Sequence, residues 1–262
     1  MKKVFLLLAA VAILFSSETL QKECNDNNAT GCVLLGLRHS GDIFFKTSDI
    51  EEDYKKAIKL FTKACNLGNP LGCSSLGDMY KNGKGIEQNY NKLAEYYSKA
   101  CDLGASARCY DLGLLYNSSK EIKRDVEKAI KFYSKACDAK YVGCSEAGWL
   151  YEEKQDYKKA AKLYSKACDL EDMTGCSYLG TLYEEGKGVR QSYKKARELY
   201  LQACTKPGFE HSLACYGLGI LYSEGKGVRQ NKTTAKEYFG KACDMEVQAG
   251  CDEYRRLNEQ GY

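Results

Sequence analysis

Two patterns in this 262-residue chain have the residue types and spacing of chemistry: paired cysteines and Ser-x-x-Lys. The fourteen cysteines fall into seven pairs: Cys24 with Cys32, Cys65 with Cys73, Cys101 with Cys109, Cys137 with Cys144, Cys168 with Cys176, Cys204 with Cys215, and Cys243 with Cys251. Five pairs are 8 residues apart, one is 7 and one is 11. An even number in short, evenly distributed pairs is the pattern of local disulfides made in an oxidising compartment. The Cys-x-x-Cys spacing of zinc ribbons and redox sites is absent, and only His39 and His211 could complete a mixed site. The expectation is seven disulfides, no metal and no cofactor. Ser192-Tyr193-Lys194-Lys195 and Ser223-Glu224-Gly225-Lys226 match the nucleophile spacing of serine β-lactamases. Neither the SDN nor the KTG element of those enzymes accompanies them, and Gly-x-Ser-x-Gly is missing too. Ser192 stands in a slot that other repeats fill with Asp or Asn, so its expected role is a helix N-cap. Ser223 to Lys226 falls in a loop. No catalytic residue is assigned.

The elements that position these residues recur. The first cysteines of successive pairs lie 41, 36, 36, 31, 36 and 39 residues apart, and each departure from 36 falls in a loop or between the two cysteines of a pair. Each period reads as two helices. The first begins near the second Cys, as in Cys73 to Tyr80 (CSSLGDMY) and Cys176 to Tyr183 (CSYLGTLY), with Gly four residues on at Gly36, Gly77, Gly113, Gly148, Gly180 and Gly219. Glycine inside a helix costs about 1 kcal/mol relative to Ala, so its recurrence predicts a close crossing that a Cβ would block. A loop follows, spelled Gly-Lys-Gly at Gly83, Gly186 and Gly225. The second helix is expected to open on the caps Asp53, Asn89, Asp125, Asp156, Ser192 and Asn231. Ala or Leu follows at four, an aromatic at eight and Ala at eleven residues beyond the cap, which is one helical face. The aromatics (Phe61, Tyr97, Tyr133, Tyr164, Tyr200, Phe239) are expected to fill the space between repeats. Cys closes the second helix, so each disulfide should join it to the next first helix. Arg255 replaces Gly in the last helix, which suits a terminal cap.

The start, MKKVFLLLAAVAILFSS, has two lysines, twelve apolar residues and then small ones. It is the pattern of a secretory signal peptide, assigned to residues 1–17, with one solenoid domain over 18–262 of about six helix pairs and a C-terminal capping helix. No second apolar stretch is long enough to span a bilayer. A net charge of +4, from 39 basic and 35 acidic residues, offers no footprint for nucleic acid or an anionic membrane. A secreted or periplasmic monomer without a stable membrane anchor is expected.

The Leu-Gly-x-x-Tyr pattern with later Ala and aromatic positions resembles tetratricopeptide repeats. The longer period, the Gly-Lys-Gly loop and the Tyr-x-Lys-Ala-Cys ending resemble Sel1-like repeats. With a Cys pair per repeat and a signal peptide, the chain is similar to the Helicobacter cysteine-rich protein family from Cys24 to Cys251. The resemblance implies an all-α, right-handed α-solenoid of Sel1-like, TPR-like helix pairs. It also implies penicillin binding, a role in host interaction and, as the alternative function, a weak β-lactamase.

Positions that vary between repeats are the candidates for recognition. Counting from the second Cys, offsets 1 and 5 share a face of the first helix and offset 2 lies beside it. They supply the candidate groove Asp78, Tyr110, Asp111, Glu146, Trp149, Tyr178 and Tyr216. Aromatic anchors among small polar and acidic neighbours suit a protein, a peptide or a cell-wall-derived ligand of the peptidoglycan or β-lactam type. The alternative for Trp149 is a core position beside the short loop Glu152 to Gln155. The lysines after Tyr54, Tyr157 and Tyr193 are expected on a solvated face, and His39, in the slot of Tyr80, is expected to pack.

Overall fold

The computed structural model describes residues 16–41, 50–205 and 212–262. Residues 1–15 of the assigned signal peptide, residues 42–49, and residues 206–211 with His211 lie outside them. The described residues form fourteen helices and no strand. They are α1 (Ser17–Asn25), α2 (Ala29–His39), α3 (Ile50–Asn66), α4 (Pro70–Asn82), α5 (Tyr90–Asp102), α6 (Ser106–Ser118) and α7 (Val126–Asp138). Then follow α8 (Cys144–Glu153), α9 (Tyr157–Asp169), α10 (Met173–Glu185), α11 (Tyr193–Cys204), α12 (Ser212–Glu224), α13 (Lys232–Asp244) and α14 (Gln248–Glu259). The fold is all-α, of the helix-pair solenoid class. It divides into two compact units, one up to Lys135 and one from Ala136. Helices adjacent in the chain pack on one another in both, as expected where each repeat buries its apolar face on its neighbours.

The pair is built as its spacing predicts. In the first unit an added Cβ on Gly36 would stand 2.6 Å from the Phe61 ring, and one on Gly77 2.6 Å from Tyr97. In the second, Gly148 meets Tyr164 and Gly180 meets Tyr200 at the same 2.6 Å. These rings are buried inside the helix pair, against the glycine of their own repeat, rather than simply between repeats. The alanines four and eleven residues past the cap are buried throughout, from Ala57 and Ala64 to Ala235 and Ala242. Asn89, Asp156, Ser192 and Asn231 each accept a hydrogen bond from a backbone N–H of the first turn, and Asp125 accepts one from the Lys128 N–H. Asp53 does not cap. It lies within α3, which begins at Ile50, and its carboxylate meets His39 Nδ1 at 2.9 Å. His39 is thus held by a polar partner where Tyr80 stacks on Tyr96 at 5.6 Å.

All seven disulfides form in the expected pairing. Cys24 bonds Cys32, Cys65 bonds Cys73, Cys101 bonds Cys109, and Cys137 bonds Cys144. Cys168 bonds Cys176, Cys204 bonds Cys215, and Cys243 bonds Cys251. Their Cα–Cα separations run from 4.5 to 5.0 Å. Each bridge joins one helix to the next across a short turn. The first helix of a pair starts a little earlier than its second cysteine suggests. It opens at Ala29 before Cys32, at Ser106 before Cys109 and at Ser212 before Cys215. Only α8 begins on its cysteine, Cys144. Cys32, Cys109 and Cys215 are therefore one turn inside their helices, and all three are buried. They belong to the internal frame and not to an exposed recognition face. The chain-entropy cost removed from the unfolded state by a loop of this length is roughly 2 to 3 kcal/mol per bridge. The turn has a fixed geometry that residue types do not announce. The third residue after the first Cys is left-handed at Asn27, Gly68, Gly104, Lys140, Glu171 and Glu246, although only two of these are glycine. The next N–H returns to the carbonyl five residues back, for example Asn69 to Ala64 and Asp172 to Ala167.

The Gly-Lys-Gly loop is a second fixed joint. Gly83 and Gly186 end α4 and α10 in the left-handed conformation. The lysine then lies over a tyrosine at the start of the preceding second helix: Lys84 over Tyr54, Lys187 over Tyr157 and Lys226 over Tyr193, at 5.4 to 5.8 Å from the ring centre. Lys55, Lys158 and Lys194, which follow those tyrosines, are exposed as expected.

Candidate functional site

In the first unit the candidate acids are held in a network that sequence reasoning missed. Arg108, on α6, bonds Asp78 Oδ2 on α4 at 2.9 Å and Asp111 Oδ2 one turn on at 2.9 Å. It also donates to the Tyr97 hydroxyl at 2.9 Å, lies over that ring at 4.4 Å, and the hydroxyl donates in turn to Asp78. Burial raises the Asp78 carboxyl above the usual Asp value against the lowering pull of Arg108. Burial likewise raises the Tyr97 phenol, with the Asp78 charge adding to it. Asp78 and Asp111 therefore face an internal cation. Arg108 precedes its second Cys at a position that is Gly31, Gly72, Gly175, Ala214 and Gly250 in other repeats. One arginine in a column of small residues was the available signal. Tyr110 leans on Tyr133, with ring centres 5.4 Å apart.

In the second unit Tyr178, on α10, stacks on Tyr164 at 5.2 Å and 23°, while the Tyr164 hydroxyl donates to Glu152 at 2.9 Å. Tyr216, on α12, is tilted against Phe239 at 5.5 Å. The three candidate tyrosines are thus half-buried against the rings that fill the helix pairs. Glu146 is half-buried on α8. Trp149, one turn further along the same helix, is 46% exposed and is not a core residue. Helices α8 and α10, which carry Glu146, Trp149 and Tyr178, are in contact within this unit. An exposed indole with a carboxylate one turn away on the same helix face can take an apolar side chain with an adjacent donor or cation.

The Ser-x-x-Lys pairs have other work. Ser192 Oγ accepts from the Lys195 N–H at 3.3 Å as the cap of α11. The Lys195 ammonium lies 4.9 Å over the Tyr183 ring. Ser223 lies in the last turn of α12 rather than in the loop, and Lys226 forms a 2.6 Å ion pair with Glu224. Among the described residues no group of His, Cys, Asp and Glu is arranged to hold a metal ion.

The Sel1 repeat matches the sequence at residues 31–69, 70–104, 109–141, 144–172, 174–207 and 212–247. No curated protein matches it. A Sel1 repeat protein from Oxalobacter formigenes is 20% identical over 93% of this chain and 70% of its own, with a TM-score of 0.77. A protective antigen of uropathogenic Escherichia coli, displaying an SLR fold, is 21% identical over 95% of this chain with a TM-score of 0.68; the chain spans 60% of that protein's length. At these identities the likeness is one of fold. Helicobacter pylori cysteine rich protein B is 26% identical over 78% of this chain and 97% of its own, with a TM-score of 0.26.

Proposed function

Because this chain belongs to the Sel1 repeat family, we propose that it is an exported binding scaffold that holds a peptide segment of a partner protein on its first-helix face. The observation that carries this reading is the exposure of Trp149, the chain's single tryptophan, at an offset that varies among repeats. Positions that recur in every repeat are spent on packing, capping and cross-linking. The frame does not require a half-exposed indole, whereas such side chains dominate binding energy at interfaces. Glu146, one turn back on α8, and Tyr178, on the contacting α10, are the polar and aromatic side chains of this proposed face.

Export is supported by two features. Seven disulfides leave no free cysteine, a state that persists in oxidising compartments. The start of the sequence has the pattern of a signal peptide over residues 1–17, which leaves a single solenoid domain over 18–262. Among the described residues no helix is long and apolar enough to cross a membrane. The scaffold acts as a monomer, outside the cytoplasm.

Trp149 also reports its own occupancy. The test pans a random peptide library on the oxidised protein and titrates the selected peptides by tryptophan fluorescence. Selected peptides should shift the emission, and Trp149→Ala should weaken binding, read by calorimetry, at least tenfold. Peptides that bind wild type and Trp149→Ala equally would refute the assignment.

A further inference from the structure

Arg197, on α11, is a cation at a position that is apolar in four of the six repeats. Five residues beyond the helix cap, three other repeats place Ala94, Ile130 and Ala161, each buried to within a few per cent, while Ile58 and Lys236 are half-buried there. Arg197 carries a guanidinium into the equivalent place, and its buried Nε–H has no hydrogen-bond partner. A buried donor left without an acceptor costs its desolvation with nothing returned. The repeat frame does not need it, because four other repeats fill the position with an apolar side chain.

Arg197 borders a recess of about 840 Å³ in the second unit. Its wall also holds Tyr222, Arg229, Asn231, Lys232 and Tyr262. Three of the lining side chains are cationic and none is acidic. Arg197 and Arg229 form no ion pair among the described residues, and the Lys232 ammonium lies 4.9 Å over the Tyr262 ring. Lys232 is a second departure, since Tyr54, Tyr90, Tyr157 and Tyr193 occupy its slot in other repeats. The volume falls in the range of small-molecule sites, larger than a bare ion needs.

We infer that this recess binds an oxyanion carried on a small ligand, with Arg197 and Arg229 as its charge partners and Tyr222 and Tyr262 flanking the ligand's body. A guanidinium fork pairs bidentately with both phosphate and carboxylate, so these two groups share the required chemistry. The site goes beyond the peptide-binding reading and is independent of it, since it uses none of the residues assigned there.

The test titrates oxidised protein by calorimetry with inorganic phosphate in one arm and N-acetyl-glutamate in the other, at matched ionic strength. Saturable binding in either arm is expected, and the tighter arm identifies the group. Arg197→Met should weaken it tenfold or more, and Arg229→Gln should do likewise. Arg197→Met should also raise the melting temperature of the ligand-free protein, because it restores the apolar residue of the other repeats. A purely structural arginine would lower it. No saturable binding in either arm, or equal binding by wild type and both variants, would overturn the site.

Discussion

Gly180→Ala tests the packing rule on which every repeat depends. The new Cβ would stand 2.6 Å from Tyr200, where ordinary contact begins at about 3.4 Å, so the ring or the helix must give by about 0.8 Å. The ring cannot retreat easily. A Cβ on Gly217 would stand 2.7 Å from its opposite edge, so it is clamped between α10 and α12. Its hydroxyl is tied to Glu184 at 2.8 Å and to Thr181 at 3.1 Å, and the residue is buried. Overpacking of this kind costs about 1 to 3 kcal/mol. Alanine in place of glycine in a helix returns about 1 kcal/mol. The expected net loss is up to about 2 kcal/mol by urea unfolding of the oxidised protein. Hydrogen exchange should place it in α10 and α11, because repeats open locally. In a Tyr200→Leu background the obstruction is gone and only the propensity remains, so the same change should stabilise by up to about 1 kcal/mol. The two changes should therefore couple by about 2 kcal/mol. The same effect of Gly180→Ala in both backgrounds, with no coupling, would refute the account.

Two other outcomes follow from the same structure. Ser192→Asp should leave stability within about 0.5 kcal/mol and Ser192→Ala should lower it by about 1 kcal/mol, because the residue is a cap; turnover of a chromogenic cephalosporin lost in Ser192→Asp would make it a nucleophile instead. Burial raises the Tyr164 and Tyr200 phenols well above their ordinary value near 10, with the charges of Glu152 and Glu184 adding to it. The folded state therefore keeps these protons when the unfolded chain loses them. Their contribution is complete below about pH 10 and declines as pH rises above it, by about 1.4 kcal/mol per pH unit for each tyrosine. Urea unfolding between pH 9 and pH 11 should show a shallower decline in Tyr200→Phe than in wild type; identical slopes would contradict the burial argument.

Much of the fold was legible because its determinants are local and repeated. Cap, Ala, aromatic, Ala and Cys at fixed intervals specify a helix and its buried face within one repeat. Cysteines 7 to 11 residues apart can pair only across the adjoining turn, so compartment and spacing together identified all seven bridges. The glycine column predicted a close crossing, and the aromatic column eight residues past the cap supplies the ring that fills it. Asp53 was misread because its slot resembled a cap while α3 starts earlier, at Ile50, and so turned the carboxylate toward His39.

The candidate site was legible only in part. Variation between repeats pointed to Asp78, Asp111 and Trp149 alike, because a column of differing residues does not say which are engaged. The structure separates them. Arg108 reaches across 30 residues of sequence to Asp78 and closes a network around Tyr97, so those half-buried acids are paired with a cation of the chain itself. Trp149 is about half exposed, and half-buried Arg197 encloses its Nε where alanine or isoleucine is usual. By itself the sequence determined the helices, their caps, the bridges and the repeat, which depend on neighbours a few residues away. Which charges are matched, which ring is exposed and which cation borders a recess depend on side chains that meet only when helices stack, and the tertiary structure alone decides them.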